Sequence, residues 1–200
     1  MAAGTLTRRS LLAAGVVTVS AALLGCSSSS ATDTGDGESR EFDFTEATPP
    51  GQLIPTAARR AAPSFTSEYL DGAAFDSASL AGDVVVINFW GSWCAPCRIE
   101  IPEFQLVYTD VADAGVYFLG ADVKDQRQLA QSFVDDVGAT YPSLFDPRGE
   151  VALAFRGFPT NVVPTTILLD RSGRVAGTYI AAISQEELRA ALDQLLAEDG

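Results

Sequence analysis

The chain of 200 residues contains no histidine, only three cysteines, one methionine and two tryptophans. Without histidine, mixed Cys/His zinc, haem and copper centres lack their usual nitrogen ligand. A closed zinc site would have to draw on carboxylates or a second chain. Positive charge is also scarce: 13 Lys and Arg stand against 26 Asp and Glu, a formal net charge of −13. That sign disfavours a nucleic-acid partner. There is no internal repeat, and the apolar run "LLAAGVVTVSAALLG" (residues 11–25) is too short for a comfortable transmembrane helix.

What is present at the start is an export pattern. Arg8 and Arg9 precede that run, so residues 1–26 read as a signal peptide. Its front, "TRRSLL", is similar to a twin-arginine signal. Its end, "LLGC", resembles a bacterial lipobox, in which Cys26 would become the lipid-bearing first residue of the mature chain. Two acyl chains on that residue would give a stable membrane anchor. Residues 27–62 are rich in Ser, Thr, Gly, Asp, Pro and Ala without periodicity. They are expected to form a flexible linker with an average reach of roughly 30 to 36 Å. One folded domain is then expected over residues 63–200.

Within that domain the apolar pattern alternates. "VVVINFW" (residues 84–90) is a continuous β-branched and aromatic run, expected as a central strand buried on both faces, with Phe89 and Trp90 in the core. Ile101, Phe104, Val107 and Tyr108 recur at helical spacing, which predicts a helix beginning near Cys94. "VYFLGADV" (residues 116–123) reads as a second buried strand, and Leu129, Phe133 and Val137 as one face of a second helix. "DPRG" (residues 146–149) has the chemistry of a type I turn. "TTILLD" and "RVAGTYI" around "RSG" predict a hairpin. A last helix starts at Ser184, with Glu187 completing a capping box and Leu188, Leu192 and Leu195 on one face. This order implies an α/β sandwich around a mixed sheet.

The chemistry sits in "NFWGSWCAPC" (residues 88–97). A disulfide between Cys94 and Cys97 would close a very short loop and so constrain the unfolded chain little, which argues against a purely structural staple. Redox exchange fits better. The unpaired N–H groups and partial positive charge of a helix N-terminus favour a thiolate at Cys94, the exposed attacking sulfur, with Cys97 one turn inside as the resolving one. Pro96 suits the first helical turn, where its missing N–H costs nothing.

"NFWGSWCAPCRIEIP" (residues 88–102), with "APSF" ahead of the first strand, Pro102 inside the helix and "VPTTILLDRSG" (residues 163–173), resembles the thioredoxin superfamily. Within it the similarity is to the membrane-anchored TlpA/ResA/CcmG-like thiol-disulfide oxidoreductases. The resemblance implies a thioredoxin-like three-layer α/β/α sandwich with a central mixed β-sheet. It also implies a cis peptide before Pro164 facing the cysteines, with Val163 offering its backbone to a substrate; Pro159 is the competing position. Trp93 resembles the family's tryptophan that flanks the active-site cysteine, which implies that it shields the cysteine or touches substrates. Cytosolic thioredoxins carry a buried Asp where this chain has Asn88, which cannot take up a proton. Glu100, three residues after Cys97, matches a glutamate of the ResA-like branch and could accept the Cys97 proton. An ordinary first-turn glutamate complementing the helix dipole is the alternative.

The function so implied is reduction of protein disulfides outside the cytoplasmic membrane by a lipid-anchored monomer. No cofactor is expected beyond the Cys94–Cys97 disulfide itself. Apocytochrome c is the implied substrate and a CcdA- or DsbD-type membrane thiol reductant the electron donor. An oxidant that inserts disulfides into exported proteins would use the same cysteines, because direction depends on the reduction potential. A thiol peroxidase of the same fold usually needs a Thr or Ser a few residues before the cysteine and an Arg nearby, which Ser92-Trp93-Cys94 meets poorly. A copper-binding module generally spaces its cysteines by three and adds a histidine, and neither is found here.

Overall fold

The computed structural model describes residues 47–155 and 162–198. The signal, the lipobox Cys26, most of the expected linker and Pro159 lie outside the described residues. Along the chain come strands β1 (Thr66–Glu68) and β2 (Ala74–Asp76), β3 (Val84–Trp90), helix α1 (Ala95–Val111), β4 (Val116–Val123), α2 (Arg127–Val137), β5 (Ser143–Asp146), α3 (Glu150–Ala154), β6 (Thr165–Leu169), β7 (Val175–Tyr179) and α4 (Gln185–Ala197).

β3 is the centre of a five-stranded sheet ordered β5-β4-β3-β6-β7. It pairs parallel with β4 and antiparallel with β6, so the sheet is mixed. All seven residues of β3 are buried, as its unbroken apolar run requires of a strand covered on both faces. Val84, Val86 and Trp90 meet a layer built from α1, α2 and α4, while Val85, Ile87 and Phe89 meet α3 and the β1–β2 hairpin. Alternation along one strand therefore feeds two cores. This is the expected three-layer α/β/α arrangement.

The expected elements form, with three corrections. Leu129 is 51% exposed, and the buried face of α2 is set by Ala130 and Phe133 instead. The helix is rotated so that Leu129 faces out. The β1–β2 hairpin, β5 and α3 carry no strong periodic signal, being only three to five residues long. They attach by pairing: Tyr69 bridges Leu144, and the Leu70 N–H donates to the Ser143 carbonyl at 2.9 Å, covering the β5 edge.

The third correction concerns the expected linker. Its last part, from Thr48 to Ala62, runs along the β7 hairpin as a strap. The Thr48 and Ile54 N–H groups donate to the Thr178 and Ala176 carbonyls at 2.7 Å, and the Val175 N–H donates to the Arg60 carbonyl at 2.8 Å. Arg59 pins it, with its side chain buried between Asp170 (3.2 Å) and a two-pronged contact with Glu198 (2.6 and 2.7 Å). Composition alone suggested coil; the unpaired edge of β7 and one buried guanidinium hold the segment. Residues from Thr48 on, ahead of Pro63, are thus already part of the fold.

Two sequence signals hold in detail. The Gly149 N–H closes the "DPRG" turn on the Asp146 carbonyl at 2.9 Å. Ser184 and Glu187 form the reciprocal capping box that starts α4.

Candidate active site

Residues 91–94 leave the C-terminal end of β3 and enter α1. Cys94 occupies the N-cap position: its Sγ accepts the Cys97 N–H at 3.2 Å, and its carbonyl accepts from the Arg98 N–H at 3.2 Å. A sulfur thus takes the place that a Ser or Asp oxygen fills at ordinary helix starts. Cys94 and Cys97 form a disulfide across this first turn, with 5.3 Å between their Cα atoms. Cys94 keeps 4% of its surface exposed and Cys97 none. Cys94, expected to be the exposed sulfur, is instead buried in this oxidised state, with its Sγ on the Cys97 N–H.

Trp93 is 52% exposed and lies flat enough against the turn that a Cβ on Gly91 would meet its indole at 2.6 Å. Its Nε1 donates to the Val123 carbonyl at 3.2 Å. Trp90 is fully buried, tilted against Phe133 with ring centroids 5.4 Å apart. Its ring also excludes a side chain at Gly120, where a Cβ would stand 2.7 Å from the indole nitrogen. Phe89 packs edge-on to Phe155 in the opposite core.

The peptide bond between Val163 and Pro164 is cis. Phe89 pairs with Thr165, so Pro164 lies at the end of the sheet where β3 gives way to the cysteine turn. Pro164 is buried and Val163 half-buried, packed against both cores.

Glu100 is the buried acid of α1, 2% exposed on the face that also carries Cys97. One oxygen accepts the Asn88 amide and the other the Ile183 backbone N–H, each at 2.9 Å. Asn88 also donates to Thr166 at 3.1 Å, tying β3, β6 and α1 together. Burial pushes the Glu100 pKa up to about 7, against the pull of the Ile183 and Asn88 donors, with the Glu103 charge adding to the rise. A carboxyl poised there can give or take a proton at neutral pH, which a first-turn surface glutamate cannot.

A second acid group lies on the other side of the same turn, and the sequence reading missed it. Asp122, at the end of β4, is fully buried. Asp125 follows and accepts the Ser92 N–H at 2.6 Å. The signal was available: an acid at the end of a run otherwise read as buried on both faces.

A match to the AhpC/TSA family spans residues 58–178, which includes both cysteines and Pro164. The chain belongs to the AhpC/TSA family. It is 33% identical to a DsbF homologue from Corynebacterium diphtheriae, whose crystal structure aligns over 76% of this chain and 99% of that one with a TM-score of 0.69. A secreted thiol-disulfide isomerase from Corynebacterium glutamicum is 32% identical over 78% of this chain and 98% of its own, with a TM-score of 0.70. The thiol-disulfide oxidoreductase ResA of Geobacillus thermodenitrificans is 29% identical over 134 residues, 67% of this chain and 75% of that protein. With this family membership and the bonded Cys94–Cys97 pair, the chain is an enzyme of the thiol-disulfide oxidoreductase type with a thioredoxin-like fold.

Proposed function

We propose that the protein is exported and reduces disulfides of protein substrates outside the cytoplasmic membrane, with apocytochrome c as the substrate class and a CcdA- or DsbD-type membrane thiol reductant as donor. Export by the N-terminal signal, by the twin-arginine route, and anchoring through Cys26 belong to the same reading. The redox pair needs no bound cofactor. In the reduced enzyme the Cys94 thiolate attacks a substrate disulfide, forming a mixed disulfide and releasing one substrate thiolate, which takes up a proton. Glu100 accepts the Cys97 proton. The Cys97 thiolate then attacks the Cys94 sulfur, expelling the second substrate sulfur as a thiolate that takes up a proton from solvent and leaving the Cys94–Cys97 disulfide, after which Glu100 gives its proton back to solvent. Two electrons pass from enzyme to substrate, and the membrane thiol reductant returns them. Trp93, half exposed beside the pair, and the backbone of Val163 before Pro164 are the substrate-contacting groups.

The observation that carries the reducing direction is Glu100. A buried carboxyl that ionises near neutrality, on the same helical face as Cys97, works against a negative sulfur. Thiolates that are less stabilised make a dithiol a better reductant. The nearby cation Arg98 does not offset this: it donates to the Ser92 carbonyl at 3.3 Å and lies 4.8 Å from the Phe133 ring.

The oxidant reading is favoured by the likeness to a secreted isomerase and a DsbF homologue. The reduction potential separates the two. A value at or below that of thioredoxin, about −270 mV, supports the reductase, and one approaching about −120 mV would make the protein an oxidant.

A further inference from the structure

Asp122 has no role in the steps above, yet its burial is expensive. It is 0% exposed, and neither carboxyl oxygen has a partner of hydrogen-bond geometry. The β3–β4 register sets it directly opposite Trp90, the last residue of β3 before the cysteine turn. Immediately after it the chain bends sharply. Lys124 has φ 53°, the one left-handed conformation outside glycine among the described residues. That bend brings Asp125 back toward the turn, where its Oδ2 accepts the Ser92 N–H at 2.6 Å and its Oδ1 accepts the Gln126 N–H at 2.7 Å. With the Trp93 indole on the Val123 carbonyl, residues 92 and 93 are both moored to the segment that Asp122 opens.

We infer that Asp122, buried with no donor to its oxygens, is kept as the neutral acid while Asp125 holds the Ser92 N–H as a carboxylate, and that this proton on Asp122 keeps the turn before Cys94 seated on the end of β4, which makes Asp122 a positioning residue for the nucleophile. Asp125 carries the negative charge of the pair. Its burial opposes ionisation, but the Ser92 and Gln126 donors and Asp122 itself hold it below the ordinary carboxylate range. Asp122 keeps the proton: burial, then the charge and acceptor oxygens of Asp125, then the charge of Asp146 push it up to about 8. Among the described residues, the neighbouring cations are engaged elsewhere. Lys124 is exposed to solvent. Arg98 of α1 serves the Ser92 carbonyl. Arg127 of α2 donates to the Tyr69 and Leu70 carbonyls at 2.8 Å, pairs with Glu68 and sits over the Phe145 ring. Asp146 of β5 is another acid, its oxygens taken by the Glu150 and Val151 N–H groups at 2.7 and 2.9 Å. Cys94 and Cys97 of α1 are bonded to each other and do not titrate.

Removing the proton from Asp122 therefore sets two carboxylates side by side in a buried place. The repulsion falls on Asp125, whose grip on Ser92 is the part free to yield. The turn carrying Trp93 and Cys94 loosens above the pH at which Asp122 ionises. This rests on the thiol-disulfide reading only for its consequence, since the residue being positioned is the nucleophile of that reaction.

The test uses the oxidised protein, in which neither Cys94 nor Cys97 titrates. Its two tryptophans both report here, Trp90 opposite Asp122 and Trp93 on the moored turn. Tryptophan emission followed across the alkaline range is expected to pass through a step near pH 8. In Asp122→Asn, which keeps the shape and cannot ionise, the step is lost. In Asp125→Asn, which can still accept from Ser92, it moves to lower pH because the neighbouring charge is gone. Glu100→Gln leaves it in place. A step that persists at the same pH in Asp122→Asn, one that does not move in Asp125→Asn, one lost in Glu100→Gln, or the absence of any step in the unaltered protein overturns the inference. Failure of the redox reading would appear separately, as an inability of the reduced protein to cleave insulin disulfides.

Discussion

Glu100 and Asp122 are two buried acids on either side of one four-residue turn, and they are satisfied in opposite ways. Glu100 receives two donors, from Asn88 and Ile183, and rises only to about 7. Asp122 receives none of hydrogen-bond geometry, faces a second carboxylate and rises to about 8. Burial raises both; donors decide how far. Glu100 is thereby placed where a proton can move in either direction at neutral pH. Asp122 is placed where its proton stays.

The largest effect expected from separating them is on turnover. Glu100→Gln should slow thiol-disulfide exchange by about 100-fold or more, the usual range for loss of a general acid–base group. The glutamine fits, since the unpartnered Asn88 Oδ1 can turn to accept from it. Stopped-flow insulin reduction measures this, and a rate within a few-fold of the unaltered enzyme would erase the functional distinction between the two acids.

Next comes the pH dependence of stability. Both groups hold their protons in the fold and lose them in the unfolded chain above about pH 4. The fold therefore binds more protons than the unfolded chain, and its stability falls as pH rises through Glu100 at about 7 and Asp122 at about 8. Each contributes about 1.4 kcal/mol per pH unit until its own folded pKa is passed. Urea unfolding should show higher stability at mildly acidic than at mildly alkaline pH, with a shallower slope in Asp122→Asn. Asp170, held below the ordinary range despite its burial by Arg174 and Arg59, works in the reverse sense and loses its contribution only as pH falls through that lowered value.

Side-chain removal sharpens the contrast further. Glu100→Ala leaves the Asn88 amide and the Ile183 N–H buried without their acceptor, at a cost of about 2 to 4 kcal/mol. Asp122→Asn strands no donor and removes an acid that must take up a proton on folding, so at neutral pH its stability should not fall and is expected to rise. Equal losses in the two variants would mean that Asp122 has a partner like those of Glu100. The smallest effect is expected at Trp93: Trp93→Ala should raise KM for a protein disulfide a few-fold with kcat little changed, if the exposed ring contacts substrate as proposed and takes no part in the proton step.

Which parts of this were legible beforehand follows from the length and coupling of each signal. The seven-residue apolar run of β3 has one sensible home, and α1, β4, β6, β7 and α4 carry periods or caps long enough to read. β1, β2, β5 and α3 are too short for a period, and exist because the sheet edge and the second core recruit them. Residues 48–62 read as tether because Ala, Pro and Thr dominate, while the feature that orders them is Arg59 meeting Asp170 and Glu198 more than a hundred positions away. The cysteines and Glu100 were visible because they lie in one continuous motif. The donors that tune Glu100 come from β3 and from the residue before α4, and no local pattern joins them. Asp122 was hidden by its own strand, since the apolar residues around it satisfied the reading of a buried run.

The account turns on Glu100 taking the Cys97 proton, and the most direct test is the pH dependence of the step in which Cys97 resolves the mixed disulfide. In the unaltered enzyme the rate should rise through an inflection near pH 7, the value to which Glu100 is pushed, and Glu100→Gln should abolish that inflection. The same inflection in both proteins would contradict it.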